Sequence, residues 1–247
     1  MKLNLSTLFL LVSISISAQT YVSIPWRAGS IVKNGEVKQG AIRLGGDLGA
    51  PWLNHAKVYF VSAENYIAGK TPKKKFQEEY SPEDIEGYTT FTEEKDGKRI
   101  EMNFVTDEVM IEGTLKKKNA KAFLRINEQG AVNIYSYIPK PEKNYNPLAS
   151  DRERELNNQY ALDHSTYYLR KGDAELIPAA ECVLIDYLKE CPEVVEKIKN
   201  ESYGFKPLAE RKKRKGLGKL MAKSIGDNVL ENKIYLAITD YNNCVDK

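Results

Sequence analysis

The stretch "SIVKNGEVKQGAIRL", residues 30–44, sets Asn34-Gly35 between two pieces of strand-like composition. Asn-Gly accepts the positive φ angles of a two-residue turn and is the strongest short-range hairpin signal. The same kind of pattern recurs outward from it. "AKVYFV" (56–61) is β-branched and aromatic, and "KRIEMNFV" (98–105) alternates through Ile100, Met102 and Phe104. "AFLRINEQGAVNIYSYI" (122–138) reads as a second hairpin turning at Gln129-Gly130, and "STYYLRKGDAELI" (165–177) as a third turning at Lys171-Gly172. Strands at this spacing, joined by turns, predict an antiparallel sheet with one face buried, either curved or rolled into an open barrel. Fifteen tyrosines against two histidines fit that reading, because tyrosine suits half-buried pleated surfaces.

Two segments interrupt the strands. In "YSPEDIEGYTTF" (80–91), Ser81, Pro82 and Asp84 suit the start of a single helical turn between two strands. Prolines, asparagines and charges mark 139–160 as a long loop, with a short helix near 150–160. After Pro178 the period changes: Leu184, Leu188, Cys191, Val195 and Ile198 recur as a helical stripe. Pro192 either kinks that helix or restarts it. Ile234, Ile238, Tyr241 and Cys244 form a second stripe, with Asp227 or Asn228 as its cap.

The chain begins "MKLNLSTLFLLVSISISAQT": Lys2, an apolar run from Leu8 to Ile16, and the small residue Ala18 before Gln19. This is the layout of a secretory signal peptide over 1–18, although Ile16 is unusual three places before the cut. The apolar run falls short of the roughly 20 residues a transmembrane helix needs. A charged fraction of 29% and a net charge of +3 describe an ordinary soluble surface, so no polyanionic partner such as a nucleic acid is demanded.

An exported chain meets an oxidising compartment, so its three cysteines, Cys182, Cys191 and Cys244, are read first as disulfide formers. If 179–191 is one helix, Cys182 and Cys191 stand about 13 Å apart along its axis at 1.5 Å per residue. A disulfide needs α-carbons within about 7 Å, which excludes that pair. Cys191 and Cys244 each lie on the apolar stripe of their own helix, so Cys191–Cys244 is the expected bridge and Cys182 a buried small side chain. Closing a loop of about 50 residues stabilises by about 4 kcal/mol in the chain-entropy model. A nucleophilic or redox cysteine would want a nearby histidine or a C-x-x-C neighbour, and neither is present.

No stretch carries a catalytic or cofactor signature. Asp163, His164 and Ser165 are adjacent in "LDHSTYY", but neighbours on a strand point to opposite faces, and the tripeptide reads as entry into a strand. His55 and His164 lie far from any cysteine pair with metal-ligand spacing. Glu93, Glu94, Asp107 and Glu108 read as solvated acids beside turns. "RKKRKGLGKLMAKS" (211–224) lacks the spacing of a phosphate loop. Its Arg211, Lys212, Lys213, Arg214, Lys215, Lys219 and Lys223 are candidates for contact with an anionic surface, weighed against a solvated helix face with a glycine linker.

"GSIVKNGEVKQGAIRL", "YSPEDIEGY", "AFLRINEQGAVNIYSY", "TYYLRKGDAELI" and "LKECPEVVEKIKNESYGF…ITDYNNC" resemble a group of exported proteins common in Bacteroidetes. The most specific matches are Cys191, Pro192 and Glu193, with Tyr241, Asn242, Asn243 and Cys244. The opening hairpin lacks the Asp-Thr usual after the turn, and the basic stretch looks like an insertion spanning about 207–226. The resemblance implies export and the disulfide, and carries no activity. The expectation is an α+β protein: signal peptide 1–18, an antiparallel β region 19–177, and a helical region 178–247. Its expected role is a non-enzymatic one in the cell envelope, binding an envelope protein or glycan or serving structurally, with no cofactor. The alternatives are a periplasmic hydrolase with an acid-based site in a cleft of the sheet, and a protein held at a membrane surface through 211–223.

Overall fold

A computed structural model describes residues 25–46, 50–93, 99–112, 117–141, 150–179, 183–204 and 233–245. The signal segment 1–18, Glu94, Cys182, the basic stretch and the cap at Asp227 or Asn228 lie outside the described residues. Among the described residues, ten strands form one open antiparallel sheet in the order β10-β9-β8-β7-β6-β5-β1-β2-β3-β4. The strands are β1 (Arg27–Lys33), β2 (Glu36–Leu44), β3 (Val58–Ser62), β4 (Glu78–Tyr80) and β5 (Gly87–Glu93). They continue as β6 (Arg99–Glu112), β7 (Lys117–Glu128), β8 (Val132–Tyr137), β9 (Thr166–Lys171) and β10 (Ile177–Pro178). Helices α1 (Asp151–His164), α2 (Leu184–Tyr187), α3 (Pro192–Lys199) and α4 (233–245) accompany the sheet.

The three expected hairpins form. Asn34 and Gly35 take φ of 54° and 74°, the pair of positive values that a two-residue turn in a right-twisted hairpin requires. The Glu86 carboxylate accepts from both of their amides, at 3.0 and 3.3 Å. Residues 82–84 make a turn and not a helix: the Asp84 carboxylate accepts from both the amide and the hydroxyl of Ser81. The expected short helix near 150–160 is a full α1, started by a capping box between Ser150 and Glu153.

Registers Ile31↔Tyr88, Tyr88↔Phe104, Ile42↔Phe60 and Val58↔Tyr80 collect the first core on one face of β1–β7. Tyr88 stacks on Phe104 at 4.4 Å, meets Phe123 edge-on at 5.0 Å, and donates its hydroxyl to the Asn54 carbonyl. Asn54 belongs to a 3-10 turn, Pro51–His55, in the β2–β3 connection. His55 Nδ1 lies 2.5 Å from the carbonyl of Phe123, on β7 beyond the residues that pair with β8. The ring fills a place where a neighbouring strand would otherwise satisfy that carbonyl.

The second core lies at the other end. Val132, Ile134 and Leu169 of β8 and β9 meet Leu184, Leu188, Val194 and Ile198, together with Ile234, Ala237, Ile238 and Tyr241 of α4. The helices after 178 therefore share their core with the sheet. Pro192 occupies the first turn of α3, so the chain restarts a helix there after the single turn of α2. The restart shifts the buried stripe: Val194, 2% exposed, takes the place predicted for Val195, which is half-buried. A bulge in β7 between Ile126 and Glu128 inserts one residue and turns Glu128 to the side of Ile134. There its carboxylate accepts from Tyr235 and Thr239 of α4.

Asn242 fixes α4 to the sheet. Its Oδ1 accepts from the Val132 amide and its Nδ2 donates to the Val132 carbonyl, both at 2.9 Å in a buried setting. The side-chain amide thus substitutes for a strand partner at the start of β8. Gly130 leaves the room: a Cβ there would stand 2.5 Å from Asn242 Cγ and Nδ2. Replacing Asn242 by Ala leaves two buried backbone groups unpaired, and the expected loss is about 2–6 kcal/mol, at about 1–3 kcal/mol per group. Gly130→Ala should destabilise in the same direction by displacing the amide. Urea unfolding of both variants checks this, and wild-type midpoints would contradict it.

Burial holds the His55 imidazole at a pKa of about 4, against an ordinary 6.5, since charging it would desolvate a cation. The unfolded chain takes up that proton first, so stability declines as pH falls from about 6.5 towards 4. Between pH 7 and pH 5 the expected loss is about 2 kcal/mol. Denaturant midpoints across that range should slope in the wild type and flatten in His55→Gln.

Candidate functional site

The expected bridge is present. Cys191 and Cys244 are joined with S–S 2.07 Å and Cα–Cα 6.3 Å. Cys191, with no exposed surface, precedes Pro192 as the N-cap of α3, and Cys244 sits in the last turn of α4. Excluding Cys182 by distance requires one helix over 179–191, whereas the described helix there is only Leu184–Tyr187. The pairing follows instead from α3 and α4 lying side by side in one core. Polar contacts flank it: Lys197 donates to Asp240 at 2.7 Å and Tyr203 to the same carboxylate at 2.8 Å. The Lys197 contact lowers the pKa of Asp240, while burial and then Asp240 raise that of Tyr203. Across the bundle, Lys171 reaches Glu190 at 2.6 Å and the Tyr241 hydroxyl reaches it at 3.2 Å. The bond from Lys171 draws the Glu190 carboxyl down to about 2. The CPE and YNNC motifs are thus structural: a helix restart and bridge at one end, and a core ring, a backbone tie and the other half-cystine at the other.

The acids do not assemble a free catalytic pair. Asp107 and Glu108 lie inside the long strand β6, not beside a turn as predicted. Asp107 is half-buried and paired with Arg170, against the expectation of a solvated acid. With Glu83, Asp84 and Glu86 they line an open depression beside the tip of the first hairpin. Glu83 pairs with Lys121, Asp84 binds Ser81, and Glu86 holds the hairpin tip. Asp163, His164 and Ser165 close α1 locally. His164 Nδ1 meets the Tyr160 carbonyl, Ser165 donates to Ala161, and Asp163 accepts from Gln159. Among the described residues no group of three or more His, Cys, Asp and Glu side chains is placed to hold a metal ion, and no helix is long and apolar enough to cross a membrane.

The feature that sequence reasoning missed lies on the outer face of β1–β4. Ile42 and Phe60 point into the core, so their neighbours Arg43 and Tyr59 point out. Arg43 is opposite Tyr59, Tyr59 is opposite Glu79, and continuing the β1–β2 register by one residue sets Trp26 opposite Arg43. Four side chains, Trp26, Arg43, Tyr59 and Glu79, therefore stand in one row across four strands. The Arg43 guanidinium lies 4.0 Å from the Tyr59 ring centroid and 5.4 Å from that of Trp26. Lys57 approaches Tyr59 at 5.2 Å and Glu79 at 3.6 Å. Tyr66 donates its hydroxyl to the Trp26 carbonyl and braces the end of the row. Arg43 Nε is buried without a hydrogen-bond partner, and no carboxylate among the described residues pairs with this guanidinium. Outward alternation at Trp26, Arg43 and Tyr59 is visible in the sequence, but the register aligning them is not.

Comparison with family models, curated proteins and solved structures returns no match.

Replacing both Cys191 and Cys244 by Ser opens a loop of 53 residues' separation. The expected cost is about 4 kcal/mol by the chain-entropy relation. Reductant should lower the wild-type unfolding midpoint to that of the double variant and leave the variant unmoved. Equal midpoints with and without reductant in the wild type would contradict a structural bridge.

Proposed function

We propose that this chain is an exported cell-envelope protein with a binding or structural role, acting without catalysis. It would belong with the exported Bacteroidetes group whose motifs it resembles. The binding reading is carried by the Trp26–Arg43–Tyr59 row, which offers aromatic and cationic surface outward on a sheet whose other face is core. Export is supported by the layout of residues 1–18 and by the Cys191–Cys244 bridge, which an oxidising compartment maintains. The hydrolase reading loses support because Glu83, Asp84, Glu86 and Asp107, four of the five acids around the β6 depression, are each engaged by a neighbour. The membrane reading through Arg211, Lys212, Lys213, Arg214, Lys215, Lys219 and Lys223 rests on sequence alone. We further infer that β1–β7 curve about the Pro51–His55 turn, since that turn touches both β5 and β7.

The test is expression of the tagged full chain in a Bacteroidetes host, followed by osmotic fractionation and capture from envelope extract. The expected protein leaves the cytoplasm and begins near Gln19. It should retain an envelope component that a Trp26→Ala/Tyr59→Ala double variant loses by roughly tenfold, as truncation of aromatic anchors does. Cytoplasmic retention with the leader intact, or equal capture by the variant, would overturn the reading.

A further inference from the structure

We propose that the row is a subsite for a carboxylated saccharide, in which Arg43 binds the carboxylate of a hexuronate unit in an acidic glycan. This rests on the binding reading above and names its ligand class. The two rings flank the guanidinium within cation–π range and hold it between them. With Nε buried, the donors left to a ligand are those on the two outer Nη nitrogens. That edge is a planar fork, and its complement is a planar carboxylate held by two parallel hydrogen bonds.

The surroundings favour a sugar as carrier. Trp26 and Tyr59 are half-buried beside the fork, leaving ring surface against which the C–H faces of a pyranose can rest. An acidic side chain of a peptide could reach the fork but would leave both rings unused. The row runs across the strands on the outer face of the sheet, which suits a polymer lying along it. Lys57 already meets Glu79, so the charge that remains uncompensated in the row is that of Arg43.

The experiment uses the full mature chain, from Gln19, and oligogalacturonate as probe, followed by titration calorimetry and tryptophan fluorescence. Oligogalacturonate should bind in a salt-sensitive manner. Its methyl ester, dextran and polyglutamate should bind at least roughly tenfold more weakly, as expected when a bidentate charged contact is lost. Arg43→Lys keeps the charge but not the fork, and should weaken oligogalacturonate by a similar factor. Competition on the wild-type protein makes the test independent of any folding defect in the variant: free glucuronate should displace the probe and glucose should not. The proposal is overturned by absent oligogalacturonate binding, by polyglutamate or glucose acting equally well, or by a correctly folded Arg43→Lys that binds like wild type. If envelope capture depends on Trp26 and Tyr59 while oligogalacturonate fails to bind, the ligand class falls and the binding role stands.

Discussion

The two hydrogen bonds between the Asn242 side chain and the backbone of Val132 fix the C-terminal helix to the sheet. Inside a core, an amide and a carbonyl without partners are costly, and a helix cannot supply them through its own backbone. A side-chain amide can, because it carries a donor and an acceptor side by side. Once that contact is made, the direction of α4 is set. Ile234, Ile238 and Tyr241 then fall onto β8 and β9, and Cys244 comes within bonding distance of Cys191. The bulge in β7 contributes from the other side by turning Glu128 towards Tyr235 and Thr239. The disulfide holds α3 and α4 together in an arrangement that packing and hydrogen bonding already specify.

Much of this order is legible in the amino-acid sequence itself. Asn34-Gly35 announces a hairpin because few residue pairs tolerate two successive positive φ angles. Gly130 and Gly172 mark their turns, and the change of period after Pro178 marks the helices. What escapes is whatever depends on pairing across the fold. Pro192 leaves a kink and a restart equally open, and the restart moves the buried position from Val195 to Val194. Asp107 looks like a solvated acid because Arg170, its partner, is sixty-three residues away. Asn242 looks like an ordinary polar residue of a terminal motif, since nothing local says that a strand's first amide faces it. His55 gives no sign that it completes the edge of β7.

The outer row shows the same limit where function is concerned. Trp26, Arg43, Tyr59 and Glu79 are spread over more than fifty residues of sequence, and only the strand registers bring them into line. Their alternation with core residues makes each an outward residue, which is a property shared by every second position of a strand. Neighbouring registers turn four unremarkable residues into a cation held between rings. Conversely, the Asp163-His164-Ser165 tripeptide, conspicuous in the sequence, resolves into local contacts at the end of α1, and Asp107 is taken up by distant Arg170. That contiguous tripeptide is structural, whereas the surface feature of interest is assembled at long range.

Native-state hydrogen exchange at the Val132 amide is the most direct measure of whether α4 is an integral part of the sheet core. If it is, that amide should exchange as slowly as those of Leu169 and Tyr135 in the paired interior of β8 and β9. Exchange as fast as that of Gly69, in an exposed turn, would mean that the helix does not hold the strand. The helical region would then have to be treated as a unit apart from the sheet.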